Sequence, residues 1–278
     1  MNLAVIIPAA GFSTRYAEAL KAETATDLAR SKLDEDLGGR PVLQRTVELF
    51  ANHDAVQTII VAGPNADAAP EAWSEFKNRY ADKLGLLGVK LCQGGRTHRY
   101  ETVKAALALV PDDATHIAVH DAARPCTPPE LLDRLFDASQ KYPAVIPGVD
   151  VPDTLKRTTD RETDDREVDP LDAILGTAGK RNTRVREVET TIDRTRLIAV
   201  QTPQVFHAPL LRRAYAQTNL LNPPPTDDAQ VVERMGERVT VVQGDPRNLK
   251  ITLPSDLSLA RAILGVRGPE SRPVHKRF

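Results

Sequence analysis

The stretch AVIIPAAGFSTR, residues 4–15, passes from an apolar run through a proline into small residues and an arginine. Backbone amides in such a turn can surround an anion, and Arg15, four residues beyond Gly11, adds a planar guanidinium fork that matches phosphate oxygens. A plain strand-to-helix connection with a surface arginine would carry the same letters. Gly11 is the turn's single glycine, so the G-x-G-x-x-G fingerprint of dinucleotide binding is missing, and so is the P-loop pattern. A second small-residue turn, GGRTHRYETV at 94–103, sets Gly94 and Gly95 ahead of a helical pattern. There Thr102 either donates to a base or phosphate or caps the helix. A third, VHDAARP at 119–125, places Asp121 at the carboxyl end of an apolar run and Arg124 just before a proline. A carboxylate beside phosphates repels them unless a cation intervenes. Mg2+ between Asp121 and a polyphosphate is the economical arrangement, and direct Asp121–Arg124 pairing is the other. His120, one residue earlier, alternates to the opposite face and reads as a structural histidine.

Further along, PDTLK at 152–156 and TTIDR at 190–194 offer hydroxyls and basic groups suited to a phosphorylated polyol, or to a solvated loop. VQTPQVF at 200–206 reads as a turn carrying Thr202. PTDDAQVVERMG at 225–236 reads as a helix capped by Thr226 or Asp227. GDPRNLKITLPSDL at 244–257 places Lys250 at the start of a short strand. No nucleophile elbow with its base is present, so covalent catalysis is not indicated.

Positioning these loops requires a scaffold, and the chain supplies one. Apolar strand-like runs at 3–8, 57–63, 89–95, 115–121 and 144–151 alternate with helical patterns, among them PPELLDRLFDASQKY, whose Leu131, Leu132, Leu135 and Phe136 form one buried stripe. This is the βαβ rhythm of a doubly wound, mainly parallel sheet, in which ligands bind beyond the carboxyl ends of the strands. Residues 156–196 break the rhythm with ten basic and ten acidic side chains. They cannot supply a core and read as a solvated arm or a partner-facing projection. The polar tail 266–278 reads as disordered.

The 278 residues suffice for one large α/β domain. A formal net charge of −1, from 37 basic and 38 acidic residues, provides no global field for nucleic acid or an anionic membrane. No apolar run is long enough to span a bilayer, and no basic leader precedes the first strand, so a soluble cytoplasmic protein is expected. Cys92 and Cys126 are too few for a four-ligand zinc site and read as reduced, small apolar residues.

In order, PAAGFSTR, GG…R…TV, VHDAARP, DTLK, TIDR, QTPQVF, TDDA and NLKIT resemble the 2-C-methyl-D-erythritol 4-phosphate cytidylyltransferase family, over about residues 2–264. The resemblance implies a Rossmann-like fold of the nucleotide-diphospho-sugar transferase type, with 1–265 as one domain and 152–198 as a projecting β-arm exchanged across a homodimer. It implies CTP held by Ala9, Ala10, Gly11, Gly95, Thr102 and Asp121, with Mg2+ near Asp121. Arg15, Lys32 and Lys250 would surround the phosphates as the catalytic cations. Arg124, Thr154, Arg194, Thr202 and Thr226 would surround the polyol phosphate, Thr154 and Arg194 serving the neighbouring chain. The family's Pro-Lys-Gln is replaced here by an extended YAEALKAETATDLARSKL, so Lys21 rivals Lys32. In the glycine loop the choice between Arg96 and Arg99 is open. A ribitol 5-phosphate cytidylyltransferase and a catalytically weakened relative are the alternative readings.

Overall fold

The computed structural model describes residues 1–11, 14–24, 31–159, 163–164 and 184–267. Its strands are β1 (Leu3–Pro8), β2 (Val56–Gly63), β3 (Val89–Gln93), β4 (His116–Val119), β5 (Ala144–Asp150), β6 (Leu155–Thr158), β7 (Thr163–Asp164), β8 (Arg184–Val185), β9 (Val188–Ile192), β10 (Ile198–Val200), β11 (Gln204–His207) and β12 (Thr240–Gln243). The helices used below are α1 (Thr14–Thr24), α2 (Val42–Ala51), α3 (Pro70–Gly85), α4 (Arg99–Leu107), α5 (Pro129–Ser139), α6 (Ala208–Ala216), α7 (Asp228–Arg234) and α8 (Ser255–Leu264).

The main sheet runs β10-β5-β11-β4-β1-β2-β3, with β12 also on β5. β1 pairs in parallel with both β2 and β4, so the strand order reverses at β1 and a crevice opens beyond its carboxyl end. The five strands read from the apolar runs are all present. β1 shows why its sequence is apolar throughout: Leu3, Val5 and Ile7 enter one core layer with Leu43, Val47 and Phe50 of α2, while Ala4 and Ile6 enter the other with Val103 and Ala106 of α4. A strand covered on both faces has no polar face to alternate. In α5 the expected stripe Leu131, Leu132, Leu135 and Phe136 is buried.

Two expectations change. The segment read as a turn around Thr202 leads directly into β11, which pairs antiparallel with both β4 and β5. The short strand expected to begin at Lys250 is not formed. Ile251 instead donates its amide to the Ala123 carbonyl at 2.8 Å, making this segment a loop lashed to the loop after β4; the strand of this region is the earlier β12. One isolated backbone bond cannot extend a ladder.

The chain divides into two compact units, residues 1–149 with 200–278, and residues 150–199. The second is a hairpin in which β6 and β9 pair antiparallel, Leu155 opposite Ile192 and Lys156 opposite Thr191, with a short β7–β8 pair. Val188 there is 59% exposed. Most of the stretch between β6 and β9, and the tail expected to be disordered from residue 268 on, lie outside the described residues. No described helix is long and apolar enough to cross a membrane.

Candidate active site

The crevice holds a cavity of about 380 Å3 at the carboxyl ends of the strands, walled by the loops after β1, β3 and β4 and by Lys32 and Lys250. Each wall follows from local chemistry. After β1, the Ala9 amide donates to the Ala62 carbonyl at 2.7 Å and turns the chain across the end of β2. Ala9, Ala10 and Gly11 then line the cavity, and a Cβ on Gly11 would meet no described atom within 4 Å. The second wall is tight. A Cβ on Gly94 would lie 2.8 Å from the Gly63 carbonyl oxygen and 2.9 Å from the Ala10 Cβ, and one on Gly95 would lie 2.1 Å from the Glu101 Cβ. Only glycine lets these backbones meet. Glu101 fastens the entry to α4 by accepting from the Thr97 and His98 amides at 2.9 and 3.2 Å. Thr102, inside α4 rather than at its cap, accepts from the Gly95 amide at 3.1 Å and so braces the loop from within.

Asp121 is the centre. Its Oδ2 lies 2.9 Å from Lys250 Nζ and 3.3 Å from Arg124 Nε, and its Oδ1 is 3.6 Å from Arg99 Nε. Burial alone would push this carboxyl up, but Arg99, Lys250 and Arg124 more than reverse it and hold it well below the usual carboxylate range. Behind it runs a one-directional hydrogen-bond chain. The Asp121 amide donates to Thr202 Oγ1 at 3.0 Å, which leaves the hydroxyl proton for His120 Nδ1 at 3.2 Å, and His120 Nε2–H donates to the Arg124 carbonyl at 3.1 Å. This sequence of donors selects the neutral Nε2–H tautomer. His120 is fully buried, and that burial pushes its pKa down to about 4, so it stays neutral behind the site as expected of a structural histidine.

Lys32 donates to the Ile251 carbonyl at 2.9 Å. Burial and the charges of Lys250 and Arg15 push its pKa down to about 8, against the opposing pull of Asp121. Lys32 and Lys250 thus share the cavity wall and raise each other's need for an anion, while Arg15, exposed on α1 and outside that wall, adds its charge to theirs. Lys21, the rival for Lys32, is on an exposed position of α1 and is not part of the cavity wall. Both glycine-loop arginines line the cavity; the exposed Arg96 pairs with Asp67 at 2.7 Å, while Arg99 reaches Asp121 and Asp228.

The polyol-phosphate residues are placed differently from one another. Arg124 is buried, donating from Nη1 to the Asn248 carbonyl at 2.7 Å, and contacts Asp121 rather than forming the cavity wall. Thr202 is buried in the chain just described, and Thr226 is exposed with its amide donating to Gln230 Oε1 at 3.0 Å. Thr154 and Arg194 belong to the second unit, where Arg194 donates to the Val151 and Pro152 carbonyls. Sequence reasoning missed Asp228, whose partner Arg99 lies 129 positions away. No local pattern encodes such a pair.

Among the described residues no cluster of three or more His, Cys, Asp or Glu could hold a metal ion. A divalent ion here would rest on Asp121 and on oxygens of a phosphate ligand, which is the usual Mg2+ arrangement. Asp121 Oδ1, with its cation no nearer than 3.6 Å, suits that role.

A doubly wound sheet whose strand-end crevice gathers amides and lysines around one carboxylate is the architecture of a Rossmann-like nucleotidyltransferase. Known proteins narrow the class. A model of the 2-C-methyl-D-erythritol 4-phosphate cytidylyltransferase family matches residues 3–169 and 172–266. Relatives of that name from Rhodococcus jostii and Acidobacterium capsulatum are 38% and 36% identical over 260 and 270 residues, spanning 93% and 96% of this chain and 93% and 99% of their own lengths. The crystal structure of the Thermus thermophilus protein of that name superposes with a TM-score of 0.65 at 28% identity, covering 96% of this chain and 100% of that one. The chain belongs to the 2-C-methyl-D-erythritol 4-phosphate cytidylyltransferase family.

Proposed function

We propose that the protein transfers CMP from CTP to 2-C-methyl-D-erythritol 4-phosphate, releasing pyrophosphate and forming 4-diphosphocytidyl-2-C-methyl-D-erythritol for isoprenoid precursor synthesis. The observation that carries this is the meeting of Lys32, Lys250 and Asp121, from three separate segments, in one cavity. An oxygen of the polyol phosphate attacks the α-phosphorus of CTP in line. The bond from that phosphorus to the α–β bridging oxygen breaks, and the electron pair leaves with pyrophosphate. A phosphate monoester is already largely dianionic near neutral pH, so no general base is needed. Catalysis is positioning and charge neutralisation.

In this reading Ala9, Ala10, Gly11, Gly95 and Thr102 seat the nucleotide, and Arg15, Lys32 and Lys250 offset charge as it builds on the five-coordinate phosphorus. Mg2+, when bound at Asp121, would neutralise triphosphate charge. Arg124 and Thr202 act from behind by fixing Asp121, while Thr226, Thr154 and Arg194 contact the polyol phosphate. The last two reach the neighbouring protomer's site through an arm exchanged in a homodimer, a reading supported by the separate hairpin unit and its exposed Val188. Two unpaired thiols, Cys92 and Cys126, accord with a cytoplasmic location. Pyrophosphate release from CTP with a panel of polyol phosphates tests the reading. Release with methylerythritol phosphate well above that with ribitol 5-phosphate is expected. CTP binding with no release for any acceptor would overturn it in favour of a weakened relative.

A further inference from the structure

Arg99 stands between two carboxylates. Its Nη1 donates to Asp228 Oδ2 at 2.8 Å, whereas its Nε is 3.6 Å from Asp121 Oδ1, too far for a hydrogen bond. The asymmetry has a cause. Asp121 already has Lys250 at 2.9 Å and Arg124 at 3.3 Å, both on Oδ2. Asp228 is wholly buried, and Arg99 is the one cation paired with it among the described residues. A buried carboxylate stripped of its cation is strongly unfavourable, so Asp228 wins the guanidinium. It is also held rigidly. Tyr215 donates its hydroxyl to Asp228 Oδ1 at 2.6 Å, and Gln204 Oε1 accepts from the Asp228 and Ala229 amides at 3.1 and 2.9 Å.

We propose that Asp228, seated by Tyr215 and Gln204, is a positioning residue that draws Arg99 off Asp121 and so keeps Oδ1 of that carboxylate open to the incoming nucleotide. The inference rests on the cytidylyltransferase reading. Without the negative charge at position 228, Arg99 has one carboxylate left to pair with, and a swing of under about 1 Å closes a charge-assisted bond over the oxygen the ligand needs.

The test is CTP affinity, by calorimetry with magnesium present, of the full-length wild-type chain, Asp228→Asn, and the double variant Arg99→Met/Asp228→Asn, with melting curves to establish folding. Asp228→Asn is expected to bind CTP roughly tenfold more weakly, the equivalent of one charge-assisted hydrogen bond. The double variant removes the buried carboxylate together with the half-buried cation that pairs with it, which spares the fold, and leaves nothing over Oδ1. Its affinity is expected to return to within about threefold of wild type, a rescue that loss of stability alone would not produce. If Asp228→Asn does not fold, the double variant decides alone. Unchanged affinity in Asp228→Asn, or a folded double variant tenfold weaker than wild type, overturns the inference and leaves the functional reading standing. A wild-type chain with no CTP binding overturns both.

Discussion

Acidification is expected to destabilise the protein through His120 before its carboxylates titrate. The ring is fully buried behind Asp121, edge-on to Phe50 at 5.0 Å between centroids, with both nitrogens engaged by Thr202 and the Arg124 carbonyl. A proton on Nδ1 would face the Thr202 hydroxyl, whose own proton already points at it. With its pKa held down to about 4, against roughly 6.5 in an unfolded chain, His120 takes up a proton more readily unfolded than folded. Stability from this group is therefore complete above pH 6.5 and is lost as pH falls towards 4. At about 1.4 kcal/mol per unit the loss reaches about 3 kcal/mol, a large part of a typical folding free energy. Asp121, whose pKa is depressed, contributes in a separate window, losing its stabilisation only below the ordinary carboxylate range. Urea unfolding at pH 7, 6, 5 and 4.5 measures the slope in wild type and in His120→Gln, which keeps a donor amide but does not titrate. The variant is expected to start less stable and to decline about 2.5 kcal/mol less across the range. Parallel slopes in the two proteins would refute the argument.

Lys250→Ala is expected to lower kcat by about 10²–10³, the usual cost of one donor to transition-state charge. Its side chain is 40% exposed, so the melting temperature should move little; near wild-type turnover in steady-state kinetics would remove Lys250 from the mechanism. Because burial and the neighbouring cations push the Lys32 pKa down to about 8, kcat/KM is expected to fall as pH rises through that value, and the falling limb should vanish in Lys32→Arg. A Cβ on Gly95 would overlap the Glu101 Cβ at 2.1 Å, so Gly95→Ala should cost about 1–3 kcal/mol by chemical denaturation and raise the KM for CTP.

Much of the site was legible because it sits on strand ends, where strand pattern and loop composition coincide. The run LAVIIP, apolar on both faces, read as a buried strand, while the small residues after it were compatible both with an anion-holding turn and with a plain connection. The helix stripe of α5 was equally plain, since its spacing alone decides which side chains are buried. Arg124 was legible as a cation near Asp121, yet its burial against the Asn248 carbonyl depends on a loop 124 residues further on. The strand foreseen at Lys250 failed for a related reason: that segment's amide found the Ala123 carbonyl instead of a neighbouring ladder.

By itself the sequence determined the layered α/β scaffold and the three loops that face its crevice, because periodicity and glycine placement are local properties of the chain. Only the tertiary structure decided which charges meet. Arg99 pairs with Asp228 at 2.8 Å while standing 3.6 Å from Asp121, and Lys32 comes under the charges of Lys250 and Arg15, through the meeting of separate segments of the chain. Coulombic competition at that range, in partly desolvated surroundings, is set by position in space rather than by order in sequence.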